Sequence, residues 1–249
     1  MSALARAFGI ARSLAIYYGI PLRAGRLRRF YAQFVQPGSL CFDVGAHAGN
    51  RVRCWRQLGA RVVAIEPQPD FVRILRWLYG HDRDVEIVPL AVGRNLGHAE
   101  LLVSERTPTV TTLSREWVDT VQRDPRFAGV AWARGERVEV VTLESLIERY
   151  GEPQFIKVDV EGFEAEVLAG LTTPLRGLSF EYLPATRDVA LDCIERLEAL
   201  ARYRYNWSPG ESHRLASAAW LDAAGMRALL MGLPQLAASG DVYAVRADV

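Results

Sequence analysis

Residues Leu40–Asn50, LCFDVGAHAGN, constrain the fold more than any other stretch. An apolar run closes on an acid, turns through two glycines and opens into a helical pattern through Val52, Trp55, Arg56 and Leu58. An apolar run without polar alternation reads as a strand covered on both faces. Gly45 permits a tight turn, and Gly49 lets the next helix start close to whatever lies above it. The helix start presents unpaired backbone N–H groups and a positive dipole end, so the turn is expected to hold the polar tail of a nucleotide-like cofactor. A second apolar run, Arg61–Ile65, ends in Glu66 and Pro67. Glu66 follows Gly45 by 21 residues, close to the spacing at which an acid on the neighbouring strand takes a ribose diol.

Dinucleotide-binding folds share this layout, but their G-x-G-x-x-G fingerprint is absent, since only Gly45 and Gly49 are present. The arrangement D-x-G-x-x-x-G instead resembles the first motif of class I methyltransferases, which bind S-adenosylmethionine. His47 stands where that motif usually has a middle glycine.

With 249 residues, half of them hydrophobic, a single α/β domain can bury a full core. Thirty basic against 29 acidic side chains leave a net charge of +1, so no global field favours nucleic acid. Cys41, Cys54 and Cys193 sit in apolar patterns without metal-ligand spacing, which points to a reduced, cytoplasmic setting and no zinc. No apolar stretch approaches the ~20 residues needed to span a bilayer, and the run Leu14 to Ile20 lacks a signal-peptide cleavage site. The charge is uneven. No acid precedes Asp43, while Arg6, Arg12, Arg23, Arg26, Arg28 and Arg29 accumulate. Leu4, Phe8, Ala11, Ala15 and Tyr18, then Leu27, Phe30, Tyr31 and Phe34, fall at helical spacing on either side of Pro21. Residues 1–38 are therefore expected to form a helical cap with a solvated arginine face; peripheral contact with an anionic membrane or an acidic substrate is the alternative.

Strands and helices then alternate, as a doubly wound fold requires. A helix through Phe71, Ile74, Leu75 and Leu78 is expected to end at Gly80, before a third strand at Val85–Val88 that runs on to Ala91. Residues from about 94 to 153 exceed a simple crossover. They hold two strand-like runs (99–103 and 137–141), a helix through Leu143, Leu146 and Ile147 that Thr142 can cap, and the stretch Thr107–Ser114, followed by Trp117, Phe127 and Trp132. This insertion reads either as a pocket wall or as a surface flap packed by its aromatics. The stretch QFIKVDVEGFE, 154–164, reads as a fourth buried strand closing on acids. It places Lys157 and Asp159 on one side, roughly 7 Å apart along the strand. Ligands in such sheets bind at carboxyl strand ends, which singles out Asp159, with Glu161 and Glu164 on the same rim. Strands at 178–180, 203–207 and 241–245 complete seven; Glu181 adds another acid to that edge, and Trp220, Leu221, Met226, Leu229 and Leu230 suggest the last helix.

Taken together, FDVGAHAGN, VVAIEPQP, VPLAVG, TTLS, VTLESLIERYGEPQFIKVDVEGFEAEVLAGL, LSFEY and GDVYAV resemble the FkbM family of S-adenosylmethionine-dependent methyltransferases over residues 39 to 246. The resemblance implies a Rossmann-like class I methyltransferase domain at 39–249. Its sheet would be seven-stranded and mostly parallel, with helices on both faces and the last strand antiparallel. It also implies methylation of a hydroxyl on a sugar, glycan or secondary metabolite, and it accommodates His47. Carried over by position, Asp43, Gly45, Ala46, His47, Gly49 and Asn50 would line the amino-acid end of S-adenosylmethionine. Glu66 with Pro67 would take the ribose, Ala91 would lie by the adenine, and Asp159 would face the transfer zone.

An alcohol is a poor nucleophile until its proton is taken, which calls for a positioned base. Asp159 and Glu161, assisted by Glu181, are the first choices; His47 and His213 are further candidates. The same acids offer ligands for Mg²⁺, a reading ranked below a metal-free base because no spacing fixes a ligand set. Two rivals remain: an NAD-dependent nucleotide-sugar oxidoreductase, for which no Tyr-x-x-x-Lys pair exists, and a cofactor-binding scaffold without turnover.

Overall fold

The structure is a computed structural model that describes residues 21–104, 107–132 and 134–248. The expected first helix, Leu4 to Tyr18, with Arg6 and Arg12, lies outside the described residues. In chain order the strands are β1 (Leu40–Val44), β2 (Arg61–Ile65), β3 (Val85–Val88), β4 (Ala91–Val92) and β5 (Gly97–Val103). They continue as β6 (Arg134–Val141), β7 (Phe155–Val158), β8 (Gly177–Tyr182), β9 (Tyr203–Pro209) and β10 (Gly240–Arg246). The helices are α1 (Pro21–Tyr31), α2 (Asn50–Gln57), α3 (Pro69–Tyr79), α4 (Arg115–Val121), α5 (Leu143–Tyr150), α6 (Glu164–Ala169), α7 (Arg187–Leu200) and α8 (Ala223–Gly232).

Seven strands form one sheet in the order β3-β2-β1-β7-β8-β10-β9, with β10 antiparallel to both neighbours and the β3 to β8 pairs parallel. Parallel strands need both faces covered, and the β1 sequence shows how that is met. Phe42 and Val44 pack into one apolar cluster with α5, α6, α7 and α8, while Cys41 packs into the other with α1 and α2. The order reverses between β1 and β7, where the outgoing chains part and leave a crevice at the carboxyl ends.

The helix stripe expected around Phe30 is buried. Leu27, Phe30, Tyr31 and Phe34 join the second cluster, while Arg26, Arg28 and Arg29 stay exposed. Phe34 stacks on Phe155 at 5.0 Å and on Tyr243 at 5.4 Å, which ties this segment to β7 and β10. Gly80 closes α3 and the Thr142 hydroxyl accepts the Ser145 N–H, as the spacing suggests. The last helix starts later than its apolar stripe implies. Leu221 exchanges two 2.7 Å backbone hydrogen bonds with Tyr205, Asp222 caps the helix through the Gly225 N–H, and Trp220 packs on the opposite cluster. Trp220 and Leu221 therefore lie outside α8.

The insertion adds β5 and β6 to β4 to form a second sheet, in the order β4-β6-β5. Its helix α4, capped by Ser114, packs Trp117, Val118 and Val121 against Leu102, with Phe127 and Trp132 edge-on to Trp117. Phe34→Ala should cost about 3 kcal/mol or more, because it empties a stacked site between the N-terminal segment and the sheet. Urea unfolding of the two proteins measures it, and a loss below about 1 kcal/mol would mean that the segment does not share the core.

Candidate active site

The ends of β1 and β7 are pressed together. The Asp159 N–H donates to the Val44 carbonyl at 2.9 Å, and a Cβ on Gly45 would overlap the Asp159 carbonyl oxygen. Gly45 adopts φ 82°, so it is glycine for both space and conformation. The Gly45 and Ala46 N–H groups then hydrogen-bond the Ile65 carbonyl, which carries the turn across to β2.

This turn opens on a cavity of about 100 Å³. Gly45, His47, Glu66, Pro67, Ala91, Asp159 and Glu161 line it, together with Gln68 and the insertion residues Thr109, Thr111, Thr112 and Leu113. The insertion is thus both wall and flap: the Thr112 hydroxyl donates to the Glu161 carbonyl at 2.7 Å, and Trp117 covers Gly162 so closely that no Cβ fits there. Asp43, Ala46, Gly49 and Asn50 do not line the cavity. Asp43 and Ala46 are packed into the layer behind it, and Gly49 backs onto Leu75 and Tyr79 of α3.

Glu66 is buried and accepts the His47 and Gln68 backbone N–H groups at 2.8 Å each, one per carboxyl oxygen. Each oxygen keeps a lone pair for a diol. Burial pushes Glu66 up to about 7 against the pull of those two bonds. His47, with φ 49°, holds its ring 3.6 Å from that of Phe71. Burial lowers it to about 3, so the ring is neutral in the physiological range. His213 lies elsewhere, against Phe30, with its Nε2 3.2 Å from Glu211.

The strand-edge acids do converge. Asp159, Glu161 and Glu181 each bring an oxygen within 4.8 Å of the others, a spacing that a divalent cation or shared protons can satisfy. Glu161 sits at φ 55°, a strained conformation for a non-glycine residue, and leads into Gly162 at φ 84°. Desolvation, then the charges of Asp159 and Glu164, hold Glu161 well above the carboxylate range. Desolvation, then Glu161, does the same to Glu181. Glu164, fully buried, accepts the Val160 N–H at 3.0 Å and is pushed up by burial to about 7. It caps the acid turn and, together with Glu181, borders a smaller neighbouring pocket.

Lys157 was legible only as a neighbour of Asp159. It is in fact fully buried, 2.6 Å from Asp241 and 3.3 Å from Asp159, and the Tyr243 hydroxyl donates to Asp241 at 3.2 Å. A lysine inside an otherwise apolar strand was the available signal; Asp241 on the distant β10 gave none.

Residues 43–188 match the methyltransferase FkbM domain, and the chain belongs to that family. It is an S-adenosylmethionine-dependent methyltransferase, which replaces the oxidoreductase reading. No curated protein matches the sequence. Among solved structures, it is similar to the O-methyltransferase from Bacillus cereus in complex with SAH (12% identity, TM-score 0.48, 96% of this chain and 90% of that chain). It is also similar to a TehB-like SAM-dependent methyltransferase from Corynebacterium glutamicum (11%, 0.47, 94% and 93%). A third similar structure is a precorrin-6y C5,15-methyltransferase from Geobacter metallireducens (13%, 0.45, 90% and 87%). Among the described residues no helix is long and apolar enough to cross a membrane.

A carboxyl moved from 4.5 to about 7 on folding favours the fold at low pH, by roughly 3 kcal/mol, and loses that contribution as pH rises through 7. Glu164→Gln keeps the oxygen that accepts from Val160 and abolishes the titration. Thermal melts should therefore show the variant gaining on the parent protein between pH 5 and pH 8; parallel curves would contradict the buried-acid assignment.

Proposed function

We propose that this methyltransferase acts on a hydroxyl oxygen of a sugar, glycan or secondary metabolite, with Glu161 as the base that takes the hydroxyl proton. The observation that supports it best is the meeting of Asp159, Glu161 and Glu181 within 4.8 Å, with two of the three lining the cavity. The cavity fits the donor in chemistry, with the apolar Leu90, Ala91 and Val92 near Glu66 as a diol acceptor. Glu66 and Pro67 would take the ribose, Ala91 with Leu90 and Val92 the adenine, and Gly45 with His47 the amino-acid end.

The bound donor supplies an already activated methyl carbon, so the protein's task is alignment, exclusion of water and removal of one proton. Thr111, Thr112 and Leu113 close one side of the cavity against solvent. Asp159 orients the acceptor hydroxyl, and Glu161 accepts its proton on a carboxylate oxygen. Glu181 shares that proton: like charges at this spacing make the first proton easy to hold and the second hard to lose. This reading needs no metal, and the free buried cysteines fit a cytoplasmic setting. Residues 39–249 would be the catalytic domain, with the segment before them as its cap.

Transfer of labelled methyl from S-adenosylmethionine to a panel of hydroxylated acceptors, assayed in EDTA, tests the assignment, and alkali-stable O-methyl product is expected. Glu161→Gln should lower kcat by about 10² or more while S-adenosylhomocysteine binding changes less than about twofold. Unchanged turnover would remove Glu161 from the reaction. Glu181→Gln takes a repelling charge from beside Glu161, so the acidic limb of its pH–rate profile should move to lower pH. Glu66→Ala should weaken S-adenosylhomocysteine binding by about tenfold in calorimetry, as expected for loss of a charged hydrogen bond; an unchanged Kd would refute the ribose assignment.

A further inference from the structure

The net charge of +1 conceals a partition. Residues 1–84 carry 13 arginines and five acids, whereas residues 85–249 carry 17 basic and 24 acidic side chains. Such asymmetry within one chain points to a polyanionic partner. The five acids of the first part do not offset its outer charge. Asp43, Glu66 and Asp70 are buried, and Asp82 and Asp84 each lie 2.8 Å from Arg56. The arginines face outward on a single layer. α1, α2 and α3 share the second apolar cluster, through Leu27, Phe30, Val52, Trp55 and Leu75, and so cover one face of the sheet. The bond from Arg56 to Asp82 fastens the end of α2 to the chain after α3, and the Tyr79 hydroxyl donates to the Gly49 carbonyl at 3.1 Å.

On the outer side of this layer Arg26, Arg28, Arg29, Arg53, Arg73 and Arg76 are exposed. Asp70 takes Arg73 at 3.1 Å; among the described residues Arg26, Arg28, Arg29 and Arg76 pair with no carboxylate. Trp77 follows Arg73 by one turn on the same side of α3. At 79% it is the most exposed large apolar side chain among the described residues. The other face of the sheet has the reverse charge, with Asp188, Asp192 and Glu195 recurring along the exposed side of α7. A lone exposed apolar side chain needs no explanation, but a tryptophan set in an arginine field is the composition of an interfacial binding face.

We propose that the outer side of the α1–α2–α3 layer docks on an anionic membrane surface, with its arginines on lipid phosphates and Trp77 at the level of the headgroups. A guanidinium meets a phosphate bidentately, and an indole settles where one end is apolar and the other wet. Nucleic acid is the other polyanion to weigh. A single strand asks for a charged groove with stacking rings along it. A helix layer with one projecting indole instead suits a plane of phosphates over an apolar interior. Among the described residues none of α1, α2 or α3 lines the cavity, so docking touches none of its lining.

Co-sedimentation of the full chain with vesicles tests the proposal. The protein should pellet with phosphatidylcholine vesicles that contain phosphatidylglycerol, stay in solution with pure phosphatidylcholine, and leave the mixed vesicles as salt rises. Each basic residue at an anionic leaflet strengthens binding about fivefold. The triple variant Arg26→Gln, Arg29→Gln, Arg76→Gln should therefore bind on the order of 100-fold more weakly. Mixed vesicles should also shift the tryptophan emission of the unaltered protein to the blue, and Trp77→Phe should abolish that shift. These side chains are exposed, so both variants should melt with the unaltered protein. Equal binding to the two vesicle types overturns the proposal, as does a triple variant that binds mixed vesicles undiminished. Tighter binding of a single-stranded or duplex oligonucleotide than of mixed vesicles overturns it too, and assigns the face to nucleic acid.

Discussion

The close approach of two strand ends organises this molecule. Where β1 gives way to its turn, the backbone of Gly45 lies against the carbonyl of Asp159 at the end of β7, with no room for a side chain between them. That contact sits where the strand order reverses, the one place in the sheet where neighbouring chains leave in opposite directions. It brings a turn rich in backbone donors beside a strand end rich in carboxylates. The cavity, its diol acceptor at Glu66 and its acid rim all follow from that juxtaposition.

The electrostatics follow from the same crowding. Asp159, Glu161, Glu181 and Glu164 occupy one rim, and the buried Lys157 is divided between Asp159 and Asp241. There is less positive charge than negative, so desolvation and mutual repulsion drive Glu161 and Glu181 toward their protonated forms. A carboxyl held in that state is a stronger base once it ionises, and this converts a structural cost into a capacity for proton transfer. The strained backbone at Glu161 and the glycine after it are kept in place from outside, by the Thr112 hydroxyl and the Trp117 ring. Those two come from an insertion whose aromatics pack a small sheet of their own, so the insertion supports the site as well as enclosing it.

Much of this was legible in the chain because local rules and tertiary needs agree. The buried run before Gly45, the acid at position 66 and the apolar strand ending in Asp159 each carry a periodicity or spacing that only one layout satisfies. The seven strands and their helices were readable for the same reason. Long-range polar pairing was not. Nothing local to Asp241 announces Lys157, 84 residues away, and nothing local to Arg51 announces Asp43 as its electrostatic partner. Trp220 and Leu221 extend the apolar stripe of α8 and look helical, but a two-way backbone pairing with Tyr205 claims Leu221 for the sheet edge. His47 is packed against Phe71 and held neutral by burial, and no local pattern around a turn histidine announces that long-range packing.

The account is tested most directly by a crystal structure of the full chain grown with S-adenosylhomocysteine. It predicts the ribose at Glu66, the adenine among Leu90, Ala91 and Val92, and the sulfur on the side of Asp159 and Glu161, facing open space for an acceptor. Ligand density elsewhere on the molecule, or a sulfur turned away from the acid rim, would contradict it.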